Sequence, residues 1–163
     1  MTGVGEVAAF WILATITVGS AVVVALVRDL VRAVVALVGS FLGVAGLFIL
    51  LSAEFLAVVQ VLIYAGAISI LMVFAIALTP RSARDNAETA MRWLALALAL
   101  AMVGLLIAVA TVTEWGPQAK EGFQETASAI GEALLNRYVL PFEVASVLLL
   151  AAMLGAVVMV RED

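Results

Sequence analysis

Apolar residues in this chain come in long runs broken by short polar stretches. A helix needs about 20 apolar residues to cross a bilayer. Five runs reach that length: roughly Val7 to Val27, Ala33 to Ser52, Phe55 to Leu78, Trp93 to Thr113 and Pro141 to Val160. The first two are parted by the polar hinge Arg28-Asp29-Leu30-Val31-Arg32, and the third stops at Thr79-Pro80. Pro141 falls in the first turn of the fifth run, where a missing N–H costs nothing. Barrel strands would alternate apolar and polar residues over about ten positions, and these runs do not. The first run has no Lys or Arg before it and exceeds the apolar core of a typical signal peptide, so it reads as a retained span. The expected fold is an all-α integral membrane protein, a single membrane domain over residues 1–163 with five transmembrane helices.

The polar stretches set the expected orientation. Arg28, Arg32, Arg81, Arg84, Arg92 and Arg161 fall on one side of the membrane if the spans alternate, and Lys120 and Arg137 on the other. Positive residues favour the cytoplasm, so the N-terminus is placed outside and the C-terminus inside. The link around Ala53-Glu54 is so short that the second and third spans must form a tight hairpin. Between the fourth and fifth spans, Glu114 to Leu140 is the one sizeable extramembrane stretch. Within it Phe123, Ala127, Ile130 and Leu134 recur at helical spacing, with Glu121, Glu125, Glu132 and Arg137 on other faces. This predicts an amphipathic extramembrane helix lying along the membrane surface or on a neighbour.

Composition strengthens this reading. The chain is 66% hydrophobic and 12% charged, more apolar surface than a soluble domain of 163 residues can hide, so the surplus faces lipid. Eight Lys and Arg form no basic face, which removes nucleic acid as a partner. With no Cys and no His, the chain cannot form disulfides, hold an iron–sulfur cluster, ligate haem through His or build a Ser-His or Cys-His nucleophile.

A few residues break the apolar pattern. Gly39, Gly43 and Gly46 lie along one side of the second span, near Ala36 and Ser40. Small residues at such spacing let a second helix approach closely, because packing drives association inside lipid. Gly155, with Ala145, Ala152 and Ala156, gives the fifth span a similar seam. Glu143 is an ionisable group about one turn inside the fifth span, either capping the helix start or serving as a protonatable group in a polar path. Gln60 places an amide in the third span, as interhelical glue or as part of a transport path, and it cannot titrate. Tyr64 and Gly66 sit near the middle of that span. They form either an ordinary helix contact or a point where the helix can change register, since glycine weakens a helix by about 1 kcal/mol and π-bulges collect at functional sites.

The string "VVQVLIYAGAISILMVFAIAL", residues 58–78, resembles the third transmembrane helix of subunit J of NADH-quinone oxidoreductase, the bacterial counterpart of mitochondrial complex I subunit 6. "YVLPFEVASVLLLAAMLGAVVMVRED", residues 138–163, resembles the final helix of the same family. The hinge, the glycine-bearing second span, the five-span layout and the long fourth loop also fit. The resemblance implies a membrane-arm core subunit of a proton-translocating respiratory complex in a bacterial inner membrane, coupling quinone reduction to proton pumping. It implies no cofactor in this chain, with NADH, FMN, iron–sulfur clusters and quinone in the assembled complex. Its partners are other membrane and hydrophilic subunits and the lipid bilayer, and the chain is not expected to act alone. It also implies a π-bulge near Tyr64 and Gly66 that converts to regular α-helix and gates a hydrated path, with Gln60 and Glu143 as further path residues. Some family members carry an acid where this chain has Gln60, so a direct proton-carrying role at that position is excluded. The alternatives are the equivalent subunit of a complex fed by ferredoxin or a reduced deazaflavin, a stand-alone ion channel, and a membrane scaffold.

Overall fold

A computed structural model describes residues 3–79, 92–113 and 126–160. Arg81, Arg84, Lys120, Glu121, Phe123, Glu125 and Arg161 lie outside the described residues, as does the Arg92 side chain. The elements run α1 (Val4–Leu26), α2 (Leu30–Leu50), α3 (Glu54–Val59), a π-helical segment (Gln60–Ile68), α4 (Ser69–Leu78), α5 (Arg92–Val112), α6 (Thr126–Asn136) and α7 (Val139–Val160). The third span is the continuous helix Glu54–Leu78, and no strand occurs among the described residues. Five helices have the length and apolarity to cross a membrane: Val4–Leu26, Leu30–Leu50, Glu54–Leu78, Trp93–Val112 and Val139–Val160. By their contacts, Met1–Val73 and Gly122–Asp163 form one compact unit and Phe74–Glu121 another. The first holds α1, α2, most of the third span, α6 and α7; the second holds the end of that span and α5.

The helix ends differ from the expected run ends for local reasons. The second run was read as starting at Ala33, but α2 begins at Leu30, inside the charged hinge. Asp29 makes this work: its carboxylate accepts from the backbone N–H of Val31 at 2.9 Å and of Arg32 at 3.2 Å. An N-cap of this kind contributes about 1 kcal/mol. At the other end of α2 the N–H of Ala53 donates to Phe48 at 2.9 Å and that of Ser52 to Ile49 at 3.0 Å. This is a Schellman closure with Ser52 at φ 56°, a left-handed position usually given to glycine. The closure satisfies the last carbonyls of α2 and turns the chain straight into the third span. The first turn of α3 gets no side-chain bond from its N-cap residue, Ala53, whose carbonyl accepts from the Ala57 N–H at 3.0 Å. Thr126, at the start of α6, lies within reach instead: its hydroxyl oxygen accepts from the Phe55 N–H at 3.3 Å.

Within the first unit, α2 packs against both α1 and the third span. Its glycines face α1. A methyl at Gly39 would sit 3.1 Å from Ser20 Oγ, and one at Gly46 would sit 2.6 Å from Leu13 Cδ2. At Gly43 it would overlap the Thr17 hydroxyl and lie 3.2 Å from the Thr17 Cα. Of the three glycines, Gly43 is the one whose added methyl would meet the backbone of α1. Ser40 Oγ donates to the Thr17 carbonyl at 3.2 Å across the same seam, and Thr17 turns its own hydroxyl to the Leu13 carbonyl at 2.8 Å. A methyl added at Gly155 on α7 would meet nothing within 4 Å among the described residues.

Gly43 should accordingly be the least tolerant glycine of α2. Gly43→Ala must push a backbone aside, a cost of about 1–3 kcal/mol for overpacking. Gly39→Ala and Gly46→Ala meet side-chain atoms that can rotate away. The measurement is the thermal midpoint of the detergent-solubilised protein in its native assembly. An equal drop for all three variants would contradict the close approach at Gly43.

Candidate functional site

The third span begins as α-helix and changes register at its most polar stretch. Over the nine residues Gln60–Ile68, "QVLIYAGAI", it is π-helical, with backbone N–H groups reaching five residues back instead of four. Gln60, Tyr64 and Gly66, three of the residues singled out from sequence, all lie in this segment. The fourth, Glu143, does not join them. It is exposed on α7, which among the described elements packs only against α6. Because α7 begins at Val139 rather than Pro141, Glu143 falls beyond the first turn, where an acid would act as a cap.

The π segment packs against α2. Tyr64 meets Phe41 edge to face, with ring centroids 5.5 Å apart and planes at 70°. Such a pair is worth about 0.5–1.5 kcal/mol beyond its buried area. Tyr64 nevertheless stays 44% exposed, so part of its ring remains at the chain's surface. Gln60 opens the segment and is buried, beside Ala57 one turn earlier, which is also buried. Gly66 sits two residues before the end of the segment; a methyl there would lie 3.3 Å from the Val61 carbonyl oxygen, across the π turn. The segment thus tolerates little side-chain bulk on the inside of that turn.

Two contributors escaped the sequence reading. Phe41 looks like any apolar residue of the second span, and only packing reveals its ring contact. Ser69 closes the π segment: its hydroxyl donates to the Tyr64 carbonyl at 2.9 Å, and its backbone N–H donates to Gly66. A signal for Ser69 was present, a hydroxyl directly after the glycine-bearing string in an otherwise apolar half-span.

Among the described residues no group of three or more acidic, His or Cys side chains could hold a metal ion. The chain as a whole has neither Cys nor His, so its residues do not fit an iron–sulfur cluster or a His-ligated haem. What the site offers is a backbone in π register packed against α2.

Five hydrophobic spans, with a register change inside the third, define a multi-pass, all-helical membrane protein. The chain belongs to the NADH-ubiquinone/plastoquinone oxidoreductase chain 6 family, which it matches over residues 20–159. It is 39% identical to the F(420)H(2) dehydrogenase subunit J of Methanosarcina mazei, over 97% of this chain and 92% of that protein. It is 40% identical to the NAD(P)H-quinone oxidoreductase chain 6 of Synechocystis, over 94% of this chain and 80% of that protein. To the NADH-quinone oxidoreductase subunit J of Rhodobacter capsulatus it is 31% identical, over 93% and 79%.

Proposed function

We propose that this chain is a membrane-arm core subunit of a proton-translocating NADH:quinone oxidoreductase, and that its third span gates the coupling of quinone reduction to proton movement. The observation that carries the reading is the π segment Gln60–Ile68 in a chain of this family. Reverting a π run to α-register turns the helix beyond it by a large fraction of a turn, since the two registers differ in residues per turn. Side chains on either side of the segment then exchange faces. In a membrane interior this moves groups such as Tyr64 toward or away from a hydrated path. Gln60 takes part by hydrogen bonding only, as an amide does not titrate. Glu143, on a separate helix, is the chain's candidate for a titrating group in the path.

The chain itself supplies no electron-transfer chemistry on this reading. Flavin, iron–sulfur clusters and the quinone site belong to neighbouring subunits. The relatives are named for different electron donors, F(420)H(2) in one and NADH in another, which supports a second reading: the equivalent subunit of a complex fed by a donor such as a reduced deazaflavin. Both readings assign this chain the same mechanical role, as one membrane unit with its N-terminus outside and its C-terminus in the cytoplasm. The helix α6 then lies at the outer membrane surface, bridging the starts of the third and fifth spans.

Affinity purification of the tagged chain from its native membrane, followed by assay of NADH-dependent quinone reduction, separates these readings. A large assembly with flavin and iron–sulfur subunits and NADH activity is expected. The same assembly without NADH activity would assign another donor. A lone chain or small homo-oligomer would overturn both readings in favour of a channel or scaffold.

Two substitutions address the gate. Gly66→Val should leave the complex assembled while proton translocation in reconstituted vesicles falls severalfold, because a branched side chain crowds the Val61 carbonyl and hinders the register change. Full coupled activity in an assembled variant would end the gating idea. Glu143→Gln should abolish or strongly reduce pumping without loss of assembly; a fall in assembly alone would make Glu143 a structural residue.

A further inference from the structure

Hydroxyls inside α-helices commonly turn back to the carbonyl four residues behind. In this chain Thr15 bonds Trp11, Thr17 bonds Leu13, Thr79 bonds Ala75, Thr111 bonds Ile107 and Ser146 bonds Phe142, each four residues back. Ser69 departs from this pattern. Its hydroxyl donates to Tyr64, five residues back, at 2.9 Å. That offset is the π register itself, and Ser69 stands immediately after the last π residue, Ile68.

The position matters because registers cannot change without a mismatch. Where a π run gives way to an α run, backbone donors skip one residue, and a carbonyl at the junction is passed over. In a hydrocarbon interior no water replaces the missing donor. The Ser69 N–H is committed to the Gly66 carbonyl, and the hydroxyl is the second donor that the same residue brings to the junction. At 3% exposed, Ser69 is among the most buried residues of the chain, so solvent does not compete for the bond.

We infer that Ser69 is a positioning residue for the third span, and that its hydroxyl holds the segment Gln60–Ile68 in π register. In α-register the Tyr64 carbonyl takes the N–H of Ile68, four residues on, and needs no hydroxyl. Serine back-bonding gives an α-helix nothing and slightly destabilises it. The hydroxyl therefore favours one register over the other. The consequence for coupling rests on the function proposed above, but the effect on register does not.

The test uses the assembled complex carrying Ser69→Ala and, separately, Ser69→Cys, which keeps the volume but is a weak donor. Amide hydrogen exchange of the peptide covering residues 60–69 should accelerate about fivefold in both, the worth of one ordinary hydrogen bond. Electron cryo-microscopy of the same samples should show the third span shifted toward α-register relative to wild type. Unchanged exchange with an unaltered π segment would overturn the inference. So would wild-type behaviour of Ser69→Cys beside a disturbed Ser69→Ala, since volume rather than donation would then be responsible. If Ser69→Ala does not assemble, Ser69→Cys decides alone. The gating reading is judged separately, by whether the wild-type complex populates both registers during turnover. It can fail while the Ser69 effect stands, and the reverse also holds.

Discussion

An N–H or C=O group without a partner costs several kcal/mol in hydrocarbon, and that penalty governs this molecule. It forces every span into helix, where each residue satisfies its neighbours along the chain. It also restricts how a helix can deviate. The third span deviates over nine residues, and side-chain partners are supplied along it: the Ser69 hydroxyl donates where the deviation ends, and the Thr126 hydroxyl oxygen accepts from the Phe55 N–H where the span begins. The Schellman closure at Phe48 to Ala53 applies the same rule to the hairpin before it. A π register in water could exchange its bonds with solvent. Here each change of register must be met by a group on the protein, which makes the alternatives few and distinct.

In the proposed function the π segment needs a fixed reference, and the α1–α2 pair is placed to provide it. In lipid no hydrophobic force pulls two helices together, so contact depends on close packing and hydrogen bonds. Gly39, Gly43 and Gly46 supply the first, and the Ser40 to Thr17 bond the second. The other side of α2 presents Phe41 to Tyr64. The π segment is thus braced by an aromatic contact on a helix already fixed to its neighbour. The beginning of the third span is held by α2, the hairpin and α6.

The apolar exterior has a related meaning. No residue of α1 or α7 is buried, although both helices are apolar enough to span a membrane. A methyl added at Gly155 on α7 would meet nothing within 4 Å among the described residues, and Glu143 is exposed on the same helix. These surfaces suit a chain that completes its packing with lipid and other subunits, in line with the relatives named above. Glu143 would then acquire its electrostatic surroundings from those neighbours rather than from this chain.

Much of this protein was legible in the sequence. Uninterrupted apolar length determined the five spans, because burial in lipid is a local, additive demand that each segment meets alone. Small residues at i, i+4 and i+7 marked a packing seam, whereas the residues around "YAGAI" left an ordinary helix contact and a register change equally open, and only the family resemblance implied a π-bulge there. Tertiary structure decided the rest. It turned Gly43 onto Thr17 of the first span, started α2 at Leu30 through the Asp29 cap, and separated Glu143 from the residues of the π segment. It also fixed the π register at Gln60–Ile68 and gave Ser69 its partner. The α and π registers use the same residues and differ by little more than the value of a few hydrogen bonds. Such a small difference is not written in the hydrophobicity of a segment; it is settled by which groups the neighbouring turns and helices bring within reach.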